Sequence, residues 1–103
     1  MKVTITQLAE NNLNATADYI QDNFGHKVAM EFLQEFKRTI GLLENYPELG
    51  SIEPLLASNP SKYRSVVINR LNKMVYRILE DRIEISDIWD CRREPKNLAG
   101  EIE

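Results

Sequence analysis

The sequence predicts an α+β domain: a short N-terminal strand, then an antiparallel two-helix hairpin packed on a C-terminal antiparallel three-stranded meander. Three observations predict it. Apolar residues recur at helical spacing through the first half of the chain, and at a period of two through the second half. A stretch holding Pro47, Gly50, Pro54 and Pro60 separates the halves. Helices and strands segregated in this order favour a helix layer on one sheet face.

Val3 and Ile5 alternate with Lys2 and Thr4, which marks a strand within 1–6. Thr4 or Thr6 can then cap a helix, because a hydroxyl there accepts from an otherwise unpaired backbone N–H. Ala9, Leu13, Thr16, Ala17, Ile20 and Phe24 form the apolar stripe of this first helix, with Leu8 flanking it. Gly25 is its natural stop. Ala29, Phe32, Leu33, Phe36, Ile40 and Leu43 form the stripe of a second helix, and the short link makes a hairpin over 7–45. The facing stripes read as core.

Pro47 ends the helical part, and 46–62 reads as a loop pinned to the core by Leu55 and Leu56. Three strands follow at 63–68, 73–79 and 83–89, joined by short turns into a sheet over 63–90. Ile83 and Ile85 share one face, yet strict alternation would send Ile88 to the other. A bulge near Ser86 resolves the conflict. The region 91–103 is an Arg-rich turn and a polar tail, read as frayed or helical.

With 43% hydrophobic and 28% charged residues, the chain is ordinary globular protein, and its length fits one domain spanning 1–103. The formal charge of −3 argues against nucleic-acid binding through bulk charge. One Cys and one His exclude an internal disulfide and a zinc-ligand set. No metal site is expected. Cofactors are not expected either, since no phosphate-binding Gly loop is present. The N-terminus lacks a signal-peptide pattern and no stretch is apolar enough to span a membrane, so no membrane partner is expected. With Cys91 unpaired, a cytoplasmic location is the simplest expectation.

The charge is uneven. Residues 62–79 hold Lys62, Arg64, Arg70, Lys73 and Arg77 and no acidic side chain; Arg92, Arg93 and Lys96 follow. This cluster reads either as an anion-recognising face or as a solvated face whose cations protect edge strands. The Arg92-Arg93 pair is the sharper feature, because adjacent guanidiniums suit bidentate anion contacts. An ion pair of one of them with Asp90 or Asp87 is the structural alternative.

These residues carry a resemblance. The segments Ala17-Asp18-Tyr19-Ile20, Ala29-x-x-Phe32-Leu33 and Leu42-x-x-x-Tyr46-Pro47-Glu48-Leu49-Gly50 stand in order along the helical half. Tyr63-Arg64-Ser65-Val66, Lys73-Met74-Val75-Tyr76-Arg77-Ile78 and Ile88-x-x-x-Arg92-Arg93-x-Pro95 follow in the strands. Together, over about residues 2–98, they resemble the RelE/ParE toxin superfamily of bacterial type II toxin–antitoxin modules, the plasmid-stabilisation proteins.

The resemblance implies a toxin of microbial-RNase-like fold, neutralised by a co-encoded antitoxin within a toxin–antitoxin hetero-oligomer. RelE-like members cleave mRNA on the ribosome. ParE-like members inhibit DNA gyrase. In the RelE-like case Lys73, Arg93 and Arg64 would be catalytic, but the late Tyr or His of that pattern is absent. The Arg92-Arg93-Glu94-Pro95 ending and the Tyr76-Arg77-Ile78 strand look more ParE-like. Gyrase is therefore the preferred target, with Arg92, Arg93, Lys73, Arg77 and Arg64 as target-binding residues. Ribosome-dependent mRNA cleavage is the alternative, and an inactive module that only binds its antitoxin is the second.

Overall fold

The structure, a computed structural model, describes residues 1–92 and 96–102. In chain order it runs β1 (Lys2–Ile5), α1 (Gln7–Phe24), α2 (His26–Asn45), β2 (Ser51–Ile52), a 3-10 turn (Pro54–Leu56), β3 (Arg64–Val67), β4 (Asn72–Ile78), β5 (Arg82–Asp90) and α3 (Lys96–Ile102). The α+β class and the helix hairpin are as the sequence predicts.

The sheet is larger than the predicted meander. Five strands stand in the order β1-β5-β4-β3-β2. β1 lies parallel to β5, with Val3 opposite Ile83 and Ile5 opposite Ile85, and β2 pairs antiparallel with β3 at the other edge. The predicted loop at 46–62 therefore holds a two-residue strand and a 3-10 turn. Asn72, assigned to a turn, opens β4.

Thr6, rather than Thr4, caps α1: its Oγ1 accepts from the Ala9 amide at 3.1 Å and donates to the Ser86 carbonyl at 3.3 Å. One side chain thus starts the helix and ties it to β5. Gly25, at φ 93°, ends α1 by donating its N–H to the Gln21 carbonyl at 3.0 Å. Its own carbonyl accepts from Ala29 and opens α2. A residue with a Cβ would be strained there.

The bulge falls where the alternation conflict required it. Val75 pairs with Asp87 and Tyr76 with Ile85, so Ser86 is the extra residue. Ile83, Ile85 and Ile88 consequently all face the hairpin, where they pack with Met74, Tyr76, Ala9, Ile20, Phe32, Phe36 and Leu43. Asp87 and Trp89 are turned to the opposite face.

That second face has its own cluster: Leu56, Tyr63, Val75, Trp89 and Leu98 are buried together, with Ile102 against them. The tail at 96–102 is therefore a helix covering the side of the sheet away from the hairpin, in a third layer. Two predicted core residues are not core. Leu55 is exposed while its neighbour Leu56 is buried, and Phe24 is 62% exposed beyond the end of the stripe. No helix among the described residues is long and apolar enough to cross a membrane.

Candidate functional site

The α1–α2 junction faces the β3–β4 turn and the end of β5 across a groove of about 950 Å³. Buried Ile20, Phe32, Ile68 and Ile88 lie beneath it. Tyr19, Phe24, Val28 and Leu71 line it while remaining 41–62% exposed. Large apolar side chains are thus gathered around a concavity with much of their surface open to solvent.

The β3–β4 turn is held by Asn69. Its Oδ1 accepts from the backbone N–H groups of Leu71 and Asn72, both at 2.9 Å, as an Asx turn does. The Cys91 amide donates to the Leu71 carbonyl at 2.7 Å, which fastens the turn to the end of β5. Arg70 and Leu71 are thereby presented outward. Charged groups stand on both sides of the groove: Glu31 and Glu35 of α2 on one, the second paired with Arg38, and Arg70 with the Arg92–Asp90 pair on the other.

Arg92 sits just past β5 at the rim. Its guanidinium donates to both oxygens of Asp90, Nε at 3.0 Å and an Nη at 2.7 Å, and stands 5.8 Å from the centre of the Tyr19 ring. The hydrogen bonds to Asp90, then the carboxylate charge, raise its pKa further above the ordinary arginine value. Among the described residues, the predicted ion pair formed is that of Arg92 with Asp90. Arg93 lies outside the described residues.

The other predicted cations do not converge. Arg64 lies opposite Tyr76 in the register and so belongs to the hairpin face, whereas Lys73 and Arg77 are on the α3 face. Arg64 donates to the Gly50 carbonyl at 2.6 Å. Arg77 donates to Glu84 at 3.0 Å and to the Ser61 hydroxyl at 3.2 Å, and lies over the Tyr63 ring at 5.6 Å.

Lys73 is paired with Glu53, a carboxylate with no exposed surface. Burial pushes Glu53 up, but bonds from Lys73, the Leu55 amide and the Ser65 hydroxyl outweigh it and hold the carboxyl below its ordinary range. The reading of 62–79 as one anion-recognising face is thus corrected. Alternation sends its cations to both faces, and three of them are spent on internal contacts.

Cys91 is exposed, and partial burial of its sulfur raises the thiol pKa, which disfavours the thiolate a nucleophile needs. Sequence reasoning missed the groove. Its signals were an apolar Leu71 inside a turn and Tyr19 off the α1 stripe, beside a Phe24 that overshoots it.

The comparisons with known proteins agree with this geometry. A family model described as the ParE toxin of type II toxin-antitoxin system, parDE, matches residues 3–95. A solved structure of the chromosomal ParDE TA system from P. aeruginosa is similar in fold, with a TM-score of 0.71 at 21% identity, over 87% of this chain and 95% of that one. No curated protein matches the chain.

Proposed function

The chain belongs to the ParE toxin family of type II toxin–antitoxin systems, and from that premise we propose that it is neutralised by a co-encoded antitoxin seated in the groove and that its target is DNA gyrase. The observation that carries the antitoxin reading is the ring of exposed Tyr19, Phe24, Val28 and Leu71 around a concavity. An amphipathic antitoxin segment would lay its apolar anchors there. Glu31 on one side and Arg70 on the other support an occupant with a basic group toward the first and an acidic group toward the second. Toxin and antitoxin would then form a hetero-oligomer.

The gyrase reading is supported by what the cations do. A nuclease built on Lys73, Arg64 and Arg93 needs its groups around one phosphate. Lys73 and Arg64 are on opposite faces of the sheet, and Lys73 is held by Glu53. Arg92, 53% exposed at the rim, is the cation best placed for a protein target, with Arg93 beside it in sequence.

A supercoiling assay with purified toxin and gyrase, including a lane that traps cleaved DNA, tests this. Gyrase-dependent linear DNA is expected, and Arg92→Ala should reduce it at least about tenfold with an unchanged melting temperature. No cleaved DNA from protein that still binds its antitoxin would reject gyrase as the target. Co-purification of the neighbouring gene product tests the antitoxin reading separately.

A further inference from the structure

One polar side chain interrupts the apolar floor of the groove. Asn72, which opens β4, is 5% exposed and lines the groove with Ile68, Leu71 and Ile88. It stands two residues before Met74 on the strand and so shares the hairpin face. Its Nδ2 donates to Asn69 Oδ1 at 3.1 Å. That bond fixes which way the carboxamide points, because the reverse orientation would set two amide oxygens against each other. Asn72 Oδ1 is then a buried acceptor with no donor facing it among the described residues.

The bond that holds this carboxamide is the one most readily given up. Asn69 Oδ1 already accepts the amides of Leu71 and Asn72, both at 2.9 Å, and an amide oxygen has two lone pairs. The Nδ2 bond is the third and longest on that atom. The Asn72 side chain can therefore turn while the two backbone bonds keep the β3–β4 turn in place. Arg70, two residues earlier and in no ion pair among the described residues, lines the same side and disfavours a second cation there.

We propose that Asn72 sets the register of the antitoxin segment in the groove. Its Oδ1 swings toward the occupant and accepts a hydrogen bond from a neutral side-chain donor, a hydroxyl or a carboxamide. An apolar segment shifted along the groove would still cover Tyr19, Phe24, Val28 and Leu71, whereas a single acceptor is met in one register only. The inference rests on the groove being the antitoxin's seat, and it adds which groove residue tells one apolar segment from another.

Titration calorimetry of the full-length toxin with the purified product of the neighbouring gene tests it. Asn72→Leu removes the acceptor at similar volume and should weaken binding at least about tenfold, with the unfolding midpoint unchanged or raised. Alanine substitution of one Ser, Thr, Asn or Gln of the antitoxin should cost a similar factor against the parent toxin and nothing further against Asn72→Leu. Should Asn72→Leu fail to fold, Asn72→Ala carries the same cycle. Asn72→Leu binding as the parent does, while Val28→Asp binds weakly, overturns the proposal and leaves the groove reading standing. A loss in Asn72→Leu that couples to no donor residue of the antitoxin also overturns it. Val28→Asp binding as the parent does removes the groove reading, and this proposal with it.

Discussion

The hydroxyl of Tyr76 accepts the amide N–H of Gly50 at 2.9 Å, and donates its own proton to the Pro47 carbonyl at 2.7 Å. One side chain on β4 thus clamps the turn between hairpin and sheet at both ends, and Arg64 closes the Gly50 carbonyl from β3. Tyr76 is fully buried. Tyr76→Phe therefore leaves an N–H and a carbonyl unsatisfied, and should lower stability in urea by about 1–3 kcal/mol. Gly50→Ala should cost more. A Cβ there would lie 2.6 Å from the Ser65 carbonyl oxygen and 2.9 Å from Tyr76 Cε1, with backbone on one side that cannot swing away. A Gly50→Ala protein as stable as its parent would remove this account of the Tyr-Pro-Glu-Leu-Gly segment.

The Lys73–Glu53 pair leads to a second expectation. Glu53 has no exposed surface, and its carboxylate also accepts from Ser65 Oγ at 3.1 Å and from the Leu55 amide at 3.0 Å. Removing only the cation leaves a buried charge partly compensated, which costs about 3 kcal/mol. Lys73→Ala should show that loss in chemical denaturation, and combining it with Glu53→Gln should restore part of it. If the two losses simply add, the pair is not coupled and Lys73 is available for other work. The same comparison bears on function, since a lysine needed to hold the 3-10 turn is a structural cation first.

The two perturbed carboxyls give stability opposite slopes with pH. Glu53 has a depressed pKa, so its contribution is present above the unfolded value, near 4.5, and is lost as pH falls through the folded one. Asp87 is pushed up to about 7, first by burial and then by Glu101. Its contribution is complete below the unfolded value, near 3.8, and is lost as pH rises through about 7. Stability should therefore peak on the acid side of neutrality, between these limits. Asp87→Asn should remove the alkaline slope and be more stable than the parent at pH 8 by on the order of 2–4 kcal/mol, with the difference narrowing toward pH 4. Thermal melts at matched ionic strength measure both slopes. A parent protein that gains stability from pH 5 to pH 8 contradicts the assignment.

Which parts were legible in the sequence follows from how local their causes are. The stripes of α1 and α2, the stop at Gly25 and the bulge at Ser86 rest on patterns within one element, and the chain shows them directly. The parallel pairing of Val3 with Ile83 leaves no trace near either residue, so the sequence predicts the N-terminal strand without placing it in the sheet. The cations illustrate a finer limit. That Lys73 and Arg77 share a face follows from period two, but that Arg64 takes the other face depends on its register against Tyr76. The groove was the least legible feature. It is assembled from a helix junction, a hairpin turn and a strand end that meet only in the fold, and its exposed Tyr19, Phe24 and Leu71 look like misplaced core residues until that meeting is seen.

The groove itself supplies the last expectation. Val28 and Leu71 face each other's elements across it and are 42% and 41% exposed, so neither holds the core together. A charge placed on either should leave the unfolding midpoint unchanged while denying the partner an apolar anchor. Val28→Asp and Leu71→Asp should each weaken antitoxin binding by about 10–100-fold, the range typical of a lost interface anchor. Val67→Asp is the control. Val67 is apolar and 64% exposed, yet it lies outside the groove lining, so its substitution should leave affinity intact. Titration calorimetry of toxin variants against the purified antitoxin separates the cases. Equal losses for Val67 and Leu71 would place the partner along β3 instead of between the hairpin and the turn. Loss at Leu71 and Val28 alone would show that the exposed apolar residues at the helix junction are kept there for the partner.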